Sequence, residues 1–513
     1  MTKLRQHIHD FGQALRGDPV RWLISCAALV LLFLLGWRAL SLVHGYDAAA
    51  FHLPYAARIA GLCGDDCLQL MSNLEHRFDH IPKFGHYLFA GMWLLTGSAS
   101  ATALVNFLAL VSLVAYLQWV FRVHWGLAVV AFVAIPFVSI TTTIFTTDLL
   151  PSVLVVIGLF TVLDYLLNPE SFTRRRAVLG LLALMAASAT KLQVYPVALM
   201  AIGIFALVVA YRGYYGIPNA FAFRPALKNW GLLLVFVLIA FSLTSVWQMR
   251  NAVVHGNPLY PVSVSVFGAE LPGRFSGRVS LSEQHIDNPP LVRWAASVFE
   301  YRAYDQRFTP WTSTQGNVPR DAWSFRIGGF NGVYVLTLAL FLLYMLRYNT
   351  RPAERWKIAA FLGVFTLAFM FMPASYYLRY YIWWMLLFVG VALIVAEPAF
   401  RGVINRKSDA IALFRGMIVI CCLSALLISG FRFVTPGGFL TVESWVDASG
   451  ITRKLEGHTG PDDVVCVRSR QAIYYTRIFQ EDAEHRVVQL HPRDYRRPDD
   501  EIRDRFGCTL IPR

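Results

Sequence analysis

The sequence predicts an all-α protein that crosses a membrane about eleven times and carries a small α/β domain at its C-terminal end. Of its 513 residues, 56% are hydrophobic, which exceeds the share found in soluble domains, and the mean hydropathy is +0.49. Apolar runs long enough to cross the hydrocarbon core recur along the chain. From residue 431 onward, acidic and basic residues are mixed almost evenly, which is typical of a folded domain in water.

The expected spans are separated by short polar loops. They lie near residues 22–43, 101–121, 126–143, 148–167, 177–190, 193–211, 229–248, 329–346, 357–373, 379–396 and 413–430. The first apolar stretch is too long for a cleaved signal peptide and no small-residue cleavage site follows it. The run at 84–96 is too short to span and follows Pro82, so we expect an interfacial helix there.

The basic residues predict which side of the membrane each loop occupies. The formal charge is +14, but the Lys and Arg residues collect in short loops between apolar runs, at Arg174–Arg176, Arg224 and Lys228, Arg347–Lys357, and Arg401–Arg415. Such loops stay in the cytoplasm, so membrane lipids, and not nucleic acid, are the expected contacts of this charge. Residues 1–21 are then cytoplasmic, residues 22–430 form the membrane module, and loops 44–100 and 249–328 and the tail 431–513 lie outside.

The cysteines agree with this assignment. Cys466 and Cys508 flank the tail, where Asp463–Val467 and Arg486–Leu490 resemble strands, and a disulfide between them is expected in an oxidising compartment. Cys63 and Cys67 in the first outer loop could form a second disulfide or a C-x3-C metal site.

Three outer turns carry charged residues beside the membrane. Asp47 follows the first span, Asp148 begins a span after a threonine-rich turn, and Lys191 lies in another short turn. A carboxylate such as Asp47 could remove a proton from an acceptor that meets a lipid-borne donor, and Lys191 could bind a lipid-linked phosphate. The structural alternatives are an interfacial ion pair for Asp47, a helix N-cap for Asp148 and a snorkelling lysine.

Two arginines extend this pattern. Arg250 and Asn251 precede Gly256-Asn257-Pro258-Leu259-Tyr260-Pro261, which forces turns just above the membrane, and Arg379-Tyr380 opens a late span. Both arginines are expected to bind an anion, since outer-face arginines run against the usual charge bias. The alternative is membrane anchoring within an aromatic belt.

Other chemistries find little support. His76 and His80 could share a helix face and bind a divalent metal, but no third ligand is fixed by spacing, so no cofactor is assigned and a divalent metal stays an open alternative. The sequence has no Gly-rich nucleotide loop and no Walker signature.

The order of these landmarks resembles the GT-C superfamily of membrane glycosyltransferases, especially bacterial relatives of the protein mannosyltransferase and aminoarabinose transferase families, over about residues 20–430. The resemblance implies a GT-C-like helix arrangement in a bacterial inner membrane. It also implies inverting transfer of a sugar from a polyprenyl-phosphate donor to an extracytoplasmic glycan, lipid or protein. Many relatives pair an Asp with a Glu after the first span, whereas Asp47 is followed by Ala48.

The resemblance maps the catalytic residue onto Asp47, and the residue patterns above assign the remaining roles. Asp47 would be the catalytic base, with Asp148 also assigned to the catalytic group. The donor phosphate would contact Lys191, Arg250 and Arg379, and the substrates would contact His52, Asn251, Asn257, Tyr260 and Tyr380. The alternatives are a lipid-linked glycan polymerase or ligase, and a non-catalytic transporter or assembly subunit for envelope glycan export.

Overall fold

The computed structural model describes most of the chain. The described residues are 19–41, 47–214, 230–266, 269–276, 289–299, 329–348, 350–372, 375, 377–400, 441–457, 460–469, 471–480 and 484–511. The protein is mostly helical. The helices up to the middle of the chain are α1 Pro19–Leu40, α2 Leu53–Ile59, α3 Ser72–His80, α4 Phe84–Thr96, α5 Leu104–Phe121, α6 Trp125–Val133, α7 Pro136–Thr142, α8 Leu149–Leu167, α9 Arg174–Ser188 and α10 Tyr195–Tyr214. The later ones are α11 Trp230–Thr244, α12 Val246–His255, α13 Pro290–Phe299, α14 Gly332–Tyr348, α15 Pro352–Phe371, α16 Ile382–Phe400, α17 Val442–Ala448, α18 Ile451–Lys454 and α19 Asp499–Phe506.

Several of these helices make the chain a multi-pass membrane protein. Within the described residues, five helical segments are long and apolar enough to cross a bilayer, namely Arg21–Leu40, Ser100–Phe121, Leu149–Leu167, Leu192–Arg212 and Leu378–Glu397. The number rises to seven if each of two bent helix pairs is one span. The expected number of eleven is not reached in these ranges, and the expected span at 413–430 lies outside the described residues.

The bent pairs differ from the straight spans that the sequence predicts. α6 and α7 meet at an angle of 99°, and Pro136 occupies the start of α7, where a missing backbone N–H costs nothing. The sequence predicts one span near 126–143, and apolarity alone could not reveal this bend. α11 and α12 meet at an angle of 66°. α12 continues to His255, beyond residue 248, where the sequence predicts that this span ends.

Helix α8 is the centre of the bundle. Most of its length is buried, and it packs against α5, α9, α10 and α16. Its contact with α9 is close because Gly180 faces Thr161, and a Cβ added at Gly180 would lie 2.4 Å from Thr161 Oγ1. Small residues allow such approach between membrane helices. The same packing places the N-terminal end of α8 next to the turn between α9 and α10.

A four-stranded parallel sheet joins the tail to the loop over residues 44–100. Its strands are β1 Leu68–Gln69, β5 Val464–Val467, β6 Arg486–Gln489 and β7 Thr509–Leu510, in the order β1-β6-β5-β7. Leu68 pairs with Val487, so this sheet is not confined to the tail, where the sequence predicts a small α/β domain. Cys63–Cys67 and Cys466–Cys508 are both disulfide-bonded. A smaller sheet follows α12, with β2 Val262–Val266, β3 Ala269–Leu271 and β4 Phe275–Ser276 in the order β3-β2-β4.

The shared sheet predicts that the first loop and the tail lie on one side of the membrane. Cysteines introduced at exposed Thr96 and Asp500 should react in intact spheroplasts with a membrane-impermeant maleimide. A cysteine at exposed Arg175 should react only after lysis, because its basic loop is expected in the cytoplasm. Labelling of Thr96→Cys and Asp500→Cys from opposite sides would contradict the sheet, and the unsubstituted protein gives the background.

Candidate functional site

Four charged side chains from four separate segments meet at one end of the bundle. Arg379 donates from Nε to Asp148 Oδ2 over 2.7 Å and from Nη2 to Asp47 Oδ2 over 2.5 Å. Lys191 Nζ donates to the other oxygen of Asp148. These contacts require the end of α1, the start of α8, the turn before α10 and the start of α16 to lie on the same side. The sequence predicts this common side for all four residues.

Asp148 is held at the N-terminus of α8 by its neighbours. It occupies the N-cap position, but its side chain makes no capping hydrogen bond and is committed to Lys191 and Arg379. The preceding turn is fixed by Asn106 of α5, whose amide donates to the carbonyls of Ile144 (2.7 Å) and Thr146 (2.9 Å). The Asp148 side chain therefore does not cap α8.

The environment of Asp148 keeps it ionised. Its side chain is 2% exposed, against 17% for Arg379 and 13% for Lys191. Burial alone would raise the pKa of the Asp148 carboxyl, but the Arg379 guanidinium and the Lys191 ammonium hold that pKa well below its usual range. Asp148 is thus a permanent anion between two cations, whereas Asp47, with 23% of its side chain exposed, is the carboxylate that a ligand can reach.

The N-terminus of α4 packs against two of these turns. Phe84 N donates to Ala189 O over 2.9 Å, which ties α4 to the Lys191 turn. Gly85 lies against Thr147 and Thr190, and an added Cβ would come within 3.1 Å and 2.9 Å of their methyl groups. A side chain at Gly85 would therefore push the Asp148 and Lys191 turns apart.

A buried histidine pair attaches the Asp47 segment to α4. Asp47 leads into a π-helical turn, Ala48–His52, and His52 Nδ1 lies 2.9 Å from His86 Nε2. Burial lowers the pKa of His52 to about 3, with Asp148 opposing this shift and Arg379 and Lys191 adding to it, and burial also lowers the pKa of His86. Both rings are neutral at physiological pH, so one can donate and the other accept. The sequence gives no signal for His86 beyond a histidine in an apolar run.

The tail packs against the same segment. The 3₁₀ turn Ala472–Tyr475 packs against the π-helical turn, and Phe479 stacks on Trp93 of α4 with ring centroids 6.0 Å apart. Ion pairing between Arg477 and Asp66 (2.8 Å) adds a contact to the first loop. The C-terminal unit thereby fixes the position of the chain that carries Asp47.

Arg250 does not join the charge cluster. Its Nη1 lies 3.4 Å from Asp79 O, its guanidinium lies over the Trp247 ring at 5.1 Å, and the residue is exposed. Among the described residues, its hydrogen bonds go only to Asp79 and Asn251. The expected convergence of three cations is therefore observed for Lys191 and Arg379, while Arg250 lies with the α3–α12 contact.

The other residues of that segment stabilise a turn. Asn251 Nδ2 donates to Tyr260 O (2.9 Å) and Asn257 Nδ2 donates to Val262 O (2.8 Å), and both asparagines are fully buried. Tyr260 shares a 2.6 Å hydrogen bond with His76 Nε2. The amide donors are occupied by backbone carbonyls, and these hydrogen bonds stabilise the turn. Tyr380, in contrast, lies at the cluster, with its ring centroid 4.8 Å from Lys191 Nζ.

A metal centre is not formed by the described residues. They contain no group of three or more His, Cys, Asp or Glu side chains arranged to hold an ion. His76 and His80 do lie close, with ring centroids 4.2 Å apart, but His80 Nδ1 is engaged by the His76 carbonyl at 2.7 Å. The pair is a packing contact between α3 and the Tyr260 turn.

Removing the Asp148 charge should destabilise the protein strongly. Asp148→Asn leaves Lys191 without its anion and Arg379 with Asp47 alone, and breaking a buried ion pair in this way costs about 3–5 kcal/mol. Denaturant unfolding of the detergent-solubilised protein should show this loss, whereas Asp79→Asn, at an exposed carboxylate in the first loop, should change the unfolding free energy by less than about 0.5 kcal/mol.

The contribution of the Asp148 charge to stability should be lost only at acidic pH. Since the folded-state pKa of Asp148 is depressed, its stabilisation is complete above the unfolded pKa of about 4 and is lost as the pH falls through the folded value. The stability difference between wild type and Asp148→Asn should therefore be constant near neutrality and shrink only in acid. A difference that instead grows on acidification would contradict the ion-pair assignment.

Comparison with known proteins identifies the fold. No family model and no curated protein matches the sequence. Two solved structures of ArnT from Cupriavidus metallidurans are similar at 14% identity. The alignment with the apo structure covers 91% of this chain and 85% of the ArnT chain, with a TM-score of 0.46. The alignment with the structure bound to undecaprenyl phosphate covers 92% of this chain and 85% of the ArnT chain, with a TM-score of 0.50. On the second comparison, the chain shares its fold with that ArnT structure, and the helix arrangement implied by the resemblance is confirmed at the level of the fold.

Proposed function

We propose that this protein is a glycosyltransferase that moves a sugar from a polyprenyl-phosphate donor to an acceptor outside the cytoplasm, with inversion at the anomeric carbon. The observation that carries the proposal is the cluster in which Arg379 bridges Asp47 and buried Asp148. The cluster lies at one end of the helix bundle, and this fold is shared with an ArnT structure that contains undecaprenyl phosphate.

Asp47 is the general base of the proposed reaction. An acceptor hydroxyl oxygen attacks the anomeric carbon and forms the new glycosidic bond, while its proton passes to the Asp47 carboxylate. The bond between the anomeric carbon and the phosphate oxygen breaks, and its electron pair leaves with the polyprenyl phosphate. Asp47 is the partly exposed carboxylate of the cluster, as this role requires.

Asp148, Lys191 and Arg379 form the proposed phosphate site. Together they carry one net positive charge, since Asp148 neutralises only one of the two cations. Without donor, Asp47 balances the remaining charge through Arg379. A donor phosphate would compete for the same guanidinium, and its binding would release Asp47 for the acceptor. Asp148 then acts as a positioning residue that fixes both cations for the leaving phosphate.

The acceptor would enter from the side of the first loop and the tail. These segments enclose the Asp47 turn through the 472–475 packing and the shared sheet, leaving Asp47 partly open. We propose a glycan, lipid or protein acceptor at the outer face of a bacterial inner membrane, in agreement with the basic loops expected in the cytoplasm.

Loss of the Asp47 charge should abolish transfer. Asp47→Asn keeps the size of the side chain but cannot accept the proton, and loss of such a base costs about 10²–10⁴-fold. Intact-mass and glycan analysis of envelope material from cells that lack the gene, or carry wild type or Asp47→Asn, would measure the product. Asp79→Asn serves as the matched control and should restore the product fully. Product from Asp47→Asn above about a tenth of wild type would remove Asp47 as base.

Binding of the donor lipid should depend on Arg379 and not on Arg250. Arg379→Lys keeps the charge but loses the planar fork, so affinity for undecaprenyl phosphate should fall about tenfold or more. Asp47→Asn removes the competing anion and should bind this lipid at least as tightly as wild type. Arg250→Lys is the control and should bind normally. Equal affinities of wild type and Arg379→Lys in a titration of purified protein would contradict the proposed phosphate site.

A further inference from the structure

A cationic cavity lies at the opposite end of the bundle from Asp148. Its volume is about 440 Å³, and its walls are Leu166, Leu207, Val208, Tyr211, Arg212 and Lys357. These residues belong to the C-terminal ends of α8 and α10 and the N-terminal part of α15. Both α8 and α10 begin near the Asp148–Lys191 pair, and a helix of about 19 residues is roughly 28 Å long. The cavity therefore faces the other surface of the membrane.

The apolar walls open towards the hydrocarbon. Leu207 is 71% exposed and Tyr211 is 59% exposed, and both are on a helix that is apolar enough to span the bilayer. A free polar anion gains nothing from walls of this kind. An occupant that has a hydrocarbon part as well as a head group gains from both.

Two cations of the cavity lack an acidic partner among the described residues. Lys357 Nζ donates to Leu166 O over 2.8 Å, a carbonyl in the last turn of α8. The Arg212 guanidinium lies 5.8 Å from the Tyr165 ring centroid, and its buried Nε has no hydrogen-bond partner. The nearby acid of α8, Asp164, is bound by Arg176 at 2.9 Å. The segment that follows α10, residues 215–229, contains no Asp or Glu in its sequence.

The charges and the walls together specify the chemistry of an occupant. A phosphodiester accepts hydrogen bonds from a guanidinium and an ammonium, and partly buried cations without a counter-ion favour an anion strongly. The loops at this end are the basic ones, Arg174–Arg176 and Arg347–Lys357, which are expected on the cytoplasmic side, where anionic lipids are attracted to basic residues.

We propose that this cavity binds one anionic glycerophospholipid of that leaflet. Its phosphate lies between Arg212 and Lys357, and its acyl chains follow Leu207 and Val208 along α10. The lipid ties the ends of α8 and α10 to α15. The site is distinct from the proposed donor site and does not depend on the glycosyltransferase assignment.

Native mass spectrometry of the full protein, with phosphatidylglycerol or phosphatidylcholine as the probe, tests the site. Wild type should retain one phosphatidylglycerol at least tenfold more tightly than phosphatidylcholine. The double variant Arg212→Gln/Lys357→Gln should lose this preference. The control Arg175→Gln/Arg351→Gln removes the same charge from exposed positions at the same membrane surface and should retain it.

A second variant and two competitors keep the test independent of folding. Leu207→Trp fills the cavity from its exposed wall without changing charge, and it should also release the lipid. Soluble glycerol 3-phosphate should not compete, because it lacks acyl chains. The proposal fails if the two double variants behave alike, if phosphatidylcholine binds equally, if Leu207→Trp retains the lipid, or if glycerol 3-phosphate displaces it. It also fails if undecaprenyl phosphate displaces phosphatidylglycerol at equal concentration, since the cavity would then be a carrier site.

Discussion

The buried Asp148 carboxylate organises the charged end of the bundle. Its two oxygens are shared between Lys191 and Arg379, which come from turns that are far apart in sequence. Burial of three charges is costly unless each is paired, so this end of the bundle is stable only when all three turns are in register. Arg379 uses Nε for Asp148, and Asp47 accepts from its Nη2. The position of Asp47 thus depends on the ion pair between Asp148 and Arg379, because that pair orients the guanidinium that Asp47 contacts.

A second set of contacts, on the outer side, restrains Asp47 through neutral groups. The π-helical turn after Asp47 is bound to α4 by the His52–His86 pair and is packed by the tail. Neutral imidazoles can hold the turn without adding charge to the cluster. The electrostatic and the packing restraints therefore act on the two ends of one short segment, and a ligand that replaced Asp47 at Arg379 would leave the packing intact.

The sequence predicts well that these charged residues lie at one end of the bundle, but it does not predict tertiary hydrogen bonding. Asp47, Lys191 and Arg379 were identifiable because charges next to apolar runs must lie at a membrane surface. Arg250 has the same local pattern, yet its guanidinium turns to Asp79 and Trp247, and this choice is decided by α3, which is distant in sequence. The entry of β1 into the tail sheet also depends on a partner far along the chain, so local pattern could not specify it.

The pairing of β1 with β6 has a consequence for biosynthesis. β1 belongs to the first outer loop, whereas its partner strand is near the other end of the described chain. Contacts between such distant segments form late, because the intervening chain must be ordered first. During translation the first loop emerges long before β6, so the Asp47 segment cannot acquire its tail packing until nearly the whole membrane module has been inserted. Assembly of the site is thereby coupled to completion of the polypeptide, and a prematurely terminated chain would expose an unpaired strand edge that quality-control proteases can recognise.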